Sequence, residues 1–187
     1  AADEDNVADW HSDASVLFAT VHGFDSLYQR VSAVQLVEIL SQLFGEFDDL
    51  VAREGVEKIN TLGTNYVAAT GIDPTRATDH AGLARVALGM REIVERLSRT
   101  AEHPFSLSAG LSTGDVVSGV IGASRPTFDI WGKTVELANA LRDRKLSSAL
   151  VVHEAAYWRL RGTFDFEACG PAGESRRCLL REKPGAA

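Results

Sequence analysis

Phe128-Asp-Ile-Trp-Gly-Lys-Thr-Val-Glu-Leu-Ala138 reads as a short strand, a glycine break and the opening of a helix that runs from Thr134 to Arg144. Upstream, Leu107, Ala109 and Leu111 alternate with Ser106, Ser108 and Gly110, which makes Phe105–Ser112 a strand. Asp115–Val120, between Gly114 and Gly122, reads as a further strand after a turn. Earlier still, Leu83, Val86, Ala87, Met90, Ile93, Val94 and Leu97 form one apolar stripe of a helix over His80–Leu97. Two strands, Val56–Leu62 and Tyr66–Thr70, flank Gly63-Thr64-Asn65 as a hairpin. Leu36, Ile39, Leu40, Leu43, Phe47, Leu50 and Val51 mark a helix within Asp25–Glu54, which Gly55 stops. Ser15–Thr20 is an apolar strand that ends in the turn Val21-His-Gly-Phe24. On the C-terminal side come a strand at Leu150–Val152, a short helix at Glu154–Leu160, and a closing hairpin of Phe164–Cys169 with Arg177–Leu180.

The order β-α-β-β-α-β with extra elements after it is the split βαβ arrangement of ferredoxin-like folds, an α+β class. We expect one domain over residues 14–182, an acidic linker over 1–13 and a short tail over 183–187. The chain has 187 residues, 45% hydrophobic and 24% charged, enough to bury a core. A net charge of -7 excludes the basic stripe that a nucleic-acid partner needs. The acidic excess is partly local, at Asp3, Glu4, Asp5, Asp9 and Asp13. No apolar run reaches the ~18–20 residues that cross a bilayer, and no signal peptide opens the sequence. Cys169 and Cys178 lack a CxxC pattern and read as reduced residues of a cytoplasmic protein, with a disulfide as the open alternative. His11, His22, His80, His103 and His153 are scattered, against a zinc site.

Four ordered blocks carry a resemblance to the class III adenylyl and guanylyl cyclase family. Ser15–Phe24 resembles its opening strand and phosphate-facing turn, and Val56–Tyr66 its central hairpin. Leu111–Gly114 with Val117–Gly122 resembles the next strands, and Phe128–Ala138 the entry to the third helix. The resemblance implies a ferredoxin-like cyclase fold and a domain that pairs as a homodimer or heterodimer, with sites across the interface. It also implies attack of a ribose 3′-hydroxyl on the α-phosphate of ATP or GTP, assisted by two divalent metals. One protomer supplies two metal-binding aspartates. The other supplies a base-reading pair, an asparagine for the ribose and an arginine for the transition state.

Carried over position by position, that set is mostly missing here. The metal aspartates fall on Thr20 and Thr64, the base-reading lysine on Asn60, the ribose asparagine on Glu136 and the arginine on Ala140. Asp129 is the retained partner of the base-reading pair, and Gly23 with Phe24 keeps the phosphate-facing turn. Mg²⁺ and Mn²⁺ favour carboxylate ligands, so no metal or other cofactor is expected, with Mg or Mn entering only if a nucleotide binds. The candidates to replace the lost cations are Arg144, Arg176, Arg177 and His22, while Arg142, about 200° from Ala140 on an extended helix, is expected to point away. The expectation is a degenerate cyclase domain, a dimerising regulatory module with residual nucleotide binding. The alternative is an active cyclase with a rewired site. Because the losses span the metal, base and transition-state groups, pairing with another domain is not expected to restore the chemistry.

Overall fold

A computed structural model describes residues 8–101, 103–122, 124–142, 149–169 and 177–185. Strand β1 (Ala8–His22) lies between β3 (Asn65–Thr70) and β4 (Ser106–Ile121), antiparallel to both. With β2 (Glu57–Leu62), these strands stand in the order β2-β3-β1-β4, the ferredoxin-like core the sequence predicts. The sheet continues through β6 (Leu150–Val152), β8 (Arg177–Glu182) and β7 (Phe164–Ala168), and β5 (Thr127–Trp131) pairs with the outer part of β4. Successive side chains of β1 face opposite sides of the sheet. Leu17, Ala19 and Val21 pack under helices α2 (Ala33–Arg53) and α3 (His80–Thr100), against Leu43, Phe47, Val86 and Met90. Ala14 and Val16 face the other way, toward Val67, Val116, Ile130 and Ala138 of helix α4 (Lys133–Leu141). A short helix α5 (Glu154–Leu160) adds Ala156 and Leu160 to the larger core.

Four expectations need correction. Residues 8–13 are strand, not linker: Trp10 pairs with Val117, and only a bulge between His11 and Ala14 interrupts the ladder. Gly114 is not a turn, because β4 runs through it from Ser106 to Ile121. The helix expected over Asp25–Glu54 is broken into α1 (Phe24–Leu27) and α2. The break is dictated locally: Ser32 Oγ accepts from Gln35 N while Gln35 Oε1 accepts from Ser32 N at 2.9 Å, a capping box that starts a new helix. Finally, Cys169 and Cys178 form a disulfide that ties the end of β7 to β8. The cytoplasmic reading therefore loses the support of free thiols. Among the described residues, no helix is long and apolar enough to cross a membrane.

One close approach sets where the end of α4 lies against the sheet. A Cβ added at Gly110 of β4 would collide with the Ala138 carbonyl oxygen and sit 2.7 Å from Leu141 Cβ. Glycine here lets the last turn of α4 rest directly on the sheet.

Candidate functional site

At the end of β1 that carries Thr20, side chains from four elements converge. Thr20 Oγ1 donates to Asn65 Oδ1 at 2.7 Å, and Asn65 Nδ2 donates to the Leu62 carbonyl at 3.1 Å. The hairpin is drawn in as well, since Val21 N donates to the Thr64 carbonyl at 3.0 Å. Helix α4 ends at Leu141, and Arg142 leaves it with ψ 83°. Its guanidinium then turns back over the sheet. Nη1 donates to Thr20 Oγ1 and to Asn65 Oδ1, Nε donates to Asn139 Oδ1 at 2.6 Å, and the group lies 5.4 Å from the centre of the Phe18 ring. Arg142 therefore does not point away from the site, as helical phase alone suggested. Its position is set by a residue that has already left the helix.

Thr20, His22, Ser108, Asn139 and Arg142 line a cleft of about 480 Å³. His22 and Ser108 share a hydrogen bond of 2.7 Å between Nε2 and Oγ. The adjoining turn needs its glycine: Gly23 has φ 108°, and a Cβ there would come within 2.6 Å of the Pro104 carbonyl oxygen. The Gly23 carbonyl is held by His103 Nε2 at 2.8 Å, and Phe24 is buried against Phe105 with ring centres 4.9 Å apart. The Phe24 side chain is thus part of the core and fixes the turn.

The remaining expected positions lie elsewhere. Asn60 sits on β2 opposite Val67, next to a register shift, and Asp129 on β5 opposite Gly119. Asp129 Oδ1 accepts from Ile130 N at 2.9 Å, a tie to its own chain. Glu136 and Ala140 are exposed on one face of α4, where Glu136 pairs with Lys133 at 3.2 Å. Arg177 lies over the Tyr157 ring, 5.3 Å from its centre, and is not a lining residue of the cleft. Arg144 and Arg176 lie outside the described residues. The sequence reading missed Arg142, Asn65, Asn139 and Ser108. Of these only Arg142 carried a signal, the polar run after Leu141 where apolar periodicity fails; Asn65, Ser108 and Asn139 sit among ordinary strand and helix residues.

Would a divalent metal fit at Thr20 and Thr64? Both offer neutral hydroxyls, and a guanidinium already donates to Thr20 Oγ1. A doubly charged ion about 5 Å from Arg142 would meet roughly 7 kcal/mol of repulsion at an effective dielectric of 20. Among the described residues, no cluster of His, Cys, Asp and Glu could hold a metal. This donor set does not fit one. Burial holds the Arg142 guanidinium below its ordinary pKa, although an arginine stays protonated at neutral pH.

A second constellation has the look of a catalytic relay. Ser15 Oγ and His80 Nδ1 share a hydrogen bond of 2.8 Å, and His80 Nε2 lies 3.5 Å from Asp13 Oδ2. Ser15 is fully buried in β1 and also bonds Thr113 Oγ1, so its oxygen is inaccessible to a substrate. The relay ties the first strand to the start of α3.

Residues 7–173 match the family described as the Adenylate and Guanylate cyclase catalytic domain. An adenylate cyclase of Mycobacterium tuberculosis is 34% identical over 175 residues, 94% of this chain and 40% of that protein. Adenylate cyclase type 9 of Gallus gallus is 34% identical over 82% of this chain and 12% of its own length. The chain thus spans well under half the length of these curated relatives. Among solved structures, the guanylyl cyclase domain of the RhoGC fusion protein from Blastocladiella emersonii superposes with a TM-score of 0.85 at 21% identity, covering 96% of this chain and 99% of that one. The guanylate cyclase domain of RhGC from Catenaria anguillulae, solved with GTP, gives 0.84 at 21% identity over 94% and 100%. On the family match, and with a fold to agree, this chain belongs to the class III adenylyl and guanylyl cyclase catalytic domain family.

Proposed function

We propose that this chain is a catalytically degenerate cyclase domain, a dimerising regulatory module that keeps a ligand cleft without the catalytic set. The observation that carries this reading is Arg142 donating to Thr20, the position where the family places its first metal aspartate. A guanidinium supplies one fixed positive charge. It cannot lower the pKa of a coordinated hydroxyl or bridge an attacking and a leaving oxygen, as paired metals do. Glu136 and Ala140 leave the ribose and transition-state positions without their amide and their cation.

Dimerisation is supported by apolar surface near β5. Val120, Ile121, Phe128 and Trp131 are all exposed on β4 and β5, with Ile121 57% accessible, and Trp131 shares a cleft with the 68% exposed Trp10. Such a cluster is typical of a surface that a partner covers. The RhoGC guanylyl cyclase domain has been solved as a non-canonical dimer and as a monomer.

The rival reading, an active cyclase with a rewired site, draws on the same arginine, because it does lie in the cleft. Among the described residues it has no group to activate the ribose hydroxyl: none of those lining the cleft is a carboxylate. The test is twofold. Light scattering across a concentration series should show mass doubling, lost in Phe128→Asp. Product chromatography with Mn²⁺ and ATP or GTP should show no cyclic nucleotide; turnover at ordinary cyclase rates would refute the degenerate reading.

A further inference from the structure

We propose that Arg142 is a built-in cation standing where the family places a metal ion, so that this cleft binds a phosphate oxyanion with no metal present. The chemical class is the phosphate chain of a nucleotide or free pyrophosphate. Four features lead there. First, every hydrogen-bond acceptor that Arg142 uses among the described residues is neutral: Thr20, Asn65 and Asn139 offer one oxygen each. Elsewhere on this acidic chain arginines find carboxylates, as Arg85 does with Glu54 at 2.7 Å and Asp79 at 3.0 Å, and Arg159 with Asp13 at 2.6 Å. Among the described residues, no carboxylate pairs with Arg142.

Second, the guanidinium is half-buried, and a desolvated charge with no counter-ion among the described residues favours whatever anion can reach it. Third, Nη2 makes no hydrogen bond among the described residues, so the fork that suits phosphate geometry is not saturated by them. Fourth, the described lining adds polar groups and no negative charge: the hydroxyls of Thr20 and Ser108, the Asn139 amide and the His22 ring. The size, about 480 Å³, lies in the range of ligand clefts. Gly110 completes the device, since it lets the end of α4 approach the sheet closely enough to deliver Arg142.

The inference rests on the degenerate-cyclase reading only for naming Thr20 as a metal position, and the two can fail separately. Titration calorimetry of the whole chain with sodium pyrophosphate, ATP and GTP, each in EDTA and again with Mn²⁺, tests it. We expect binding in EDTA, with pyrophosphate within about tenfold of the nucleotides and no gain from Mn²⁺. Arg142→Ala should weaken it about 10- to 100-fold, as for a lost charge-assisted hydrogen bond. Thr20→Asp guards against a folding artefact: it keeps a partner for Arg142 but supplies the counter-ion internally, so anion binding should fall as far while the melting temperature holds.

Silence from all three ligands in EDTA would overturn the proposal. So would binding that requires Mn²⁺, survives both substitutions unchanged, or admits nucleotides but not pyrophosphate. Cyclic nucleotide production would instead refute the degenerate reading and leave metal-free anion binding standing or falling on its own result.

Discussion

The two ends of the proposed site, at Thr20 and at Asn60 with Asp129, are organised to different degrees. At the Thr20 end, side chains from β1, β3 and the exit of α4 bond to one another around a single guanidinium. At the Asn60 and Asp129 end, Asp129 accepts from its neighbour Ile130 N, and among the described residues no hydrogen bond joins the pair across β2 and β5. One end is a connected network; the other shows none among those residues. An end that holds threonines where the resemblance expects carboxylates can thus still be organised, and on the proposed reading that end is where binding is to be sought.

The sharpest way to break this contrast is Gly110→Ala. The new methyl meets a backbone carbonyl rather than a yielding side chain, so we expect about 1–3 kcal/mol of destabilisation by thermal melting, with pyrophosphate binding impaired as α4 lifts. Arg142→Ala comes next, with a 10- to 100-fold loss of pyrophosphate affinity, about the size of a lost charge-assisted hydrogen bond, and a smaller change in stability. Thr20→Val removes one of the guanidinium's three acceptors while keeping the strand-favouring shape. It should weaken pyrophosphate by up to about tenfold, in keeping with about 0.5–1.5 kcal/mol for a single hydrogen bond. Asp129→Asn should change pyrophosphate affinity by less than about twofold. An equal or larger effect there than at Thr20 would show that the two ends are not distinct.

Much of the fold was legible because its signals are local. Phe128–Ala138 carries a strand, a glycine and an apolar helical stripe in eleven residues, and the structure places β5 and α4 there. Ser32 and Gln35 were an equally local signal for a helix start inside what a long apolar period suggested was one helix. Gly114 misled because glycine marks turns and strand irregularities alike; its role depends on β1 running antiparallel beside it, a long-range fact. The disulfide depends on β7 and β8 bringing Cys169 and Cys178 together, and spacing alone could not decide it. Arg142 is the instructive miss. Helical phase assigns direction only to residues inside a helix, and one residue past Leu141 the backbone turns the side chain back onto Thr20.

Thr20 and Thr64 stand in the sequence where the resemblance expects carboxylates; the proposed replacement, Arg142, is visible only in three dimensions. The proposal of a cyclase fold without cyclase chemistry is tested most directly by cyclic AMP and cyclic GMP production. The purified chain would be assayed with Mn²⁺ and saturating ATP or GTP, at concentrations spanning monomer and dimer. We predict no product above a protein-free control at any concentration. Product that rises with dimer formation and disappears in Arg142→Ala would contradict this and make Arg142 part of a working enzyme.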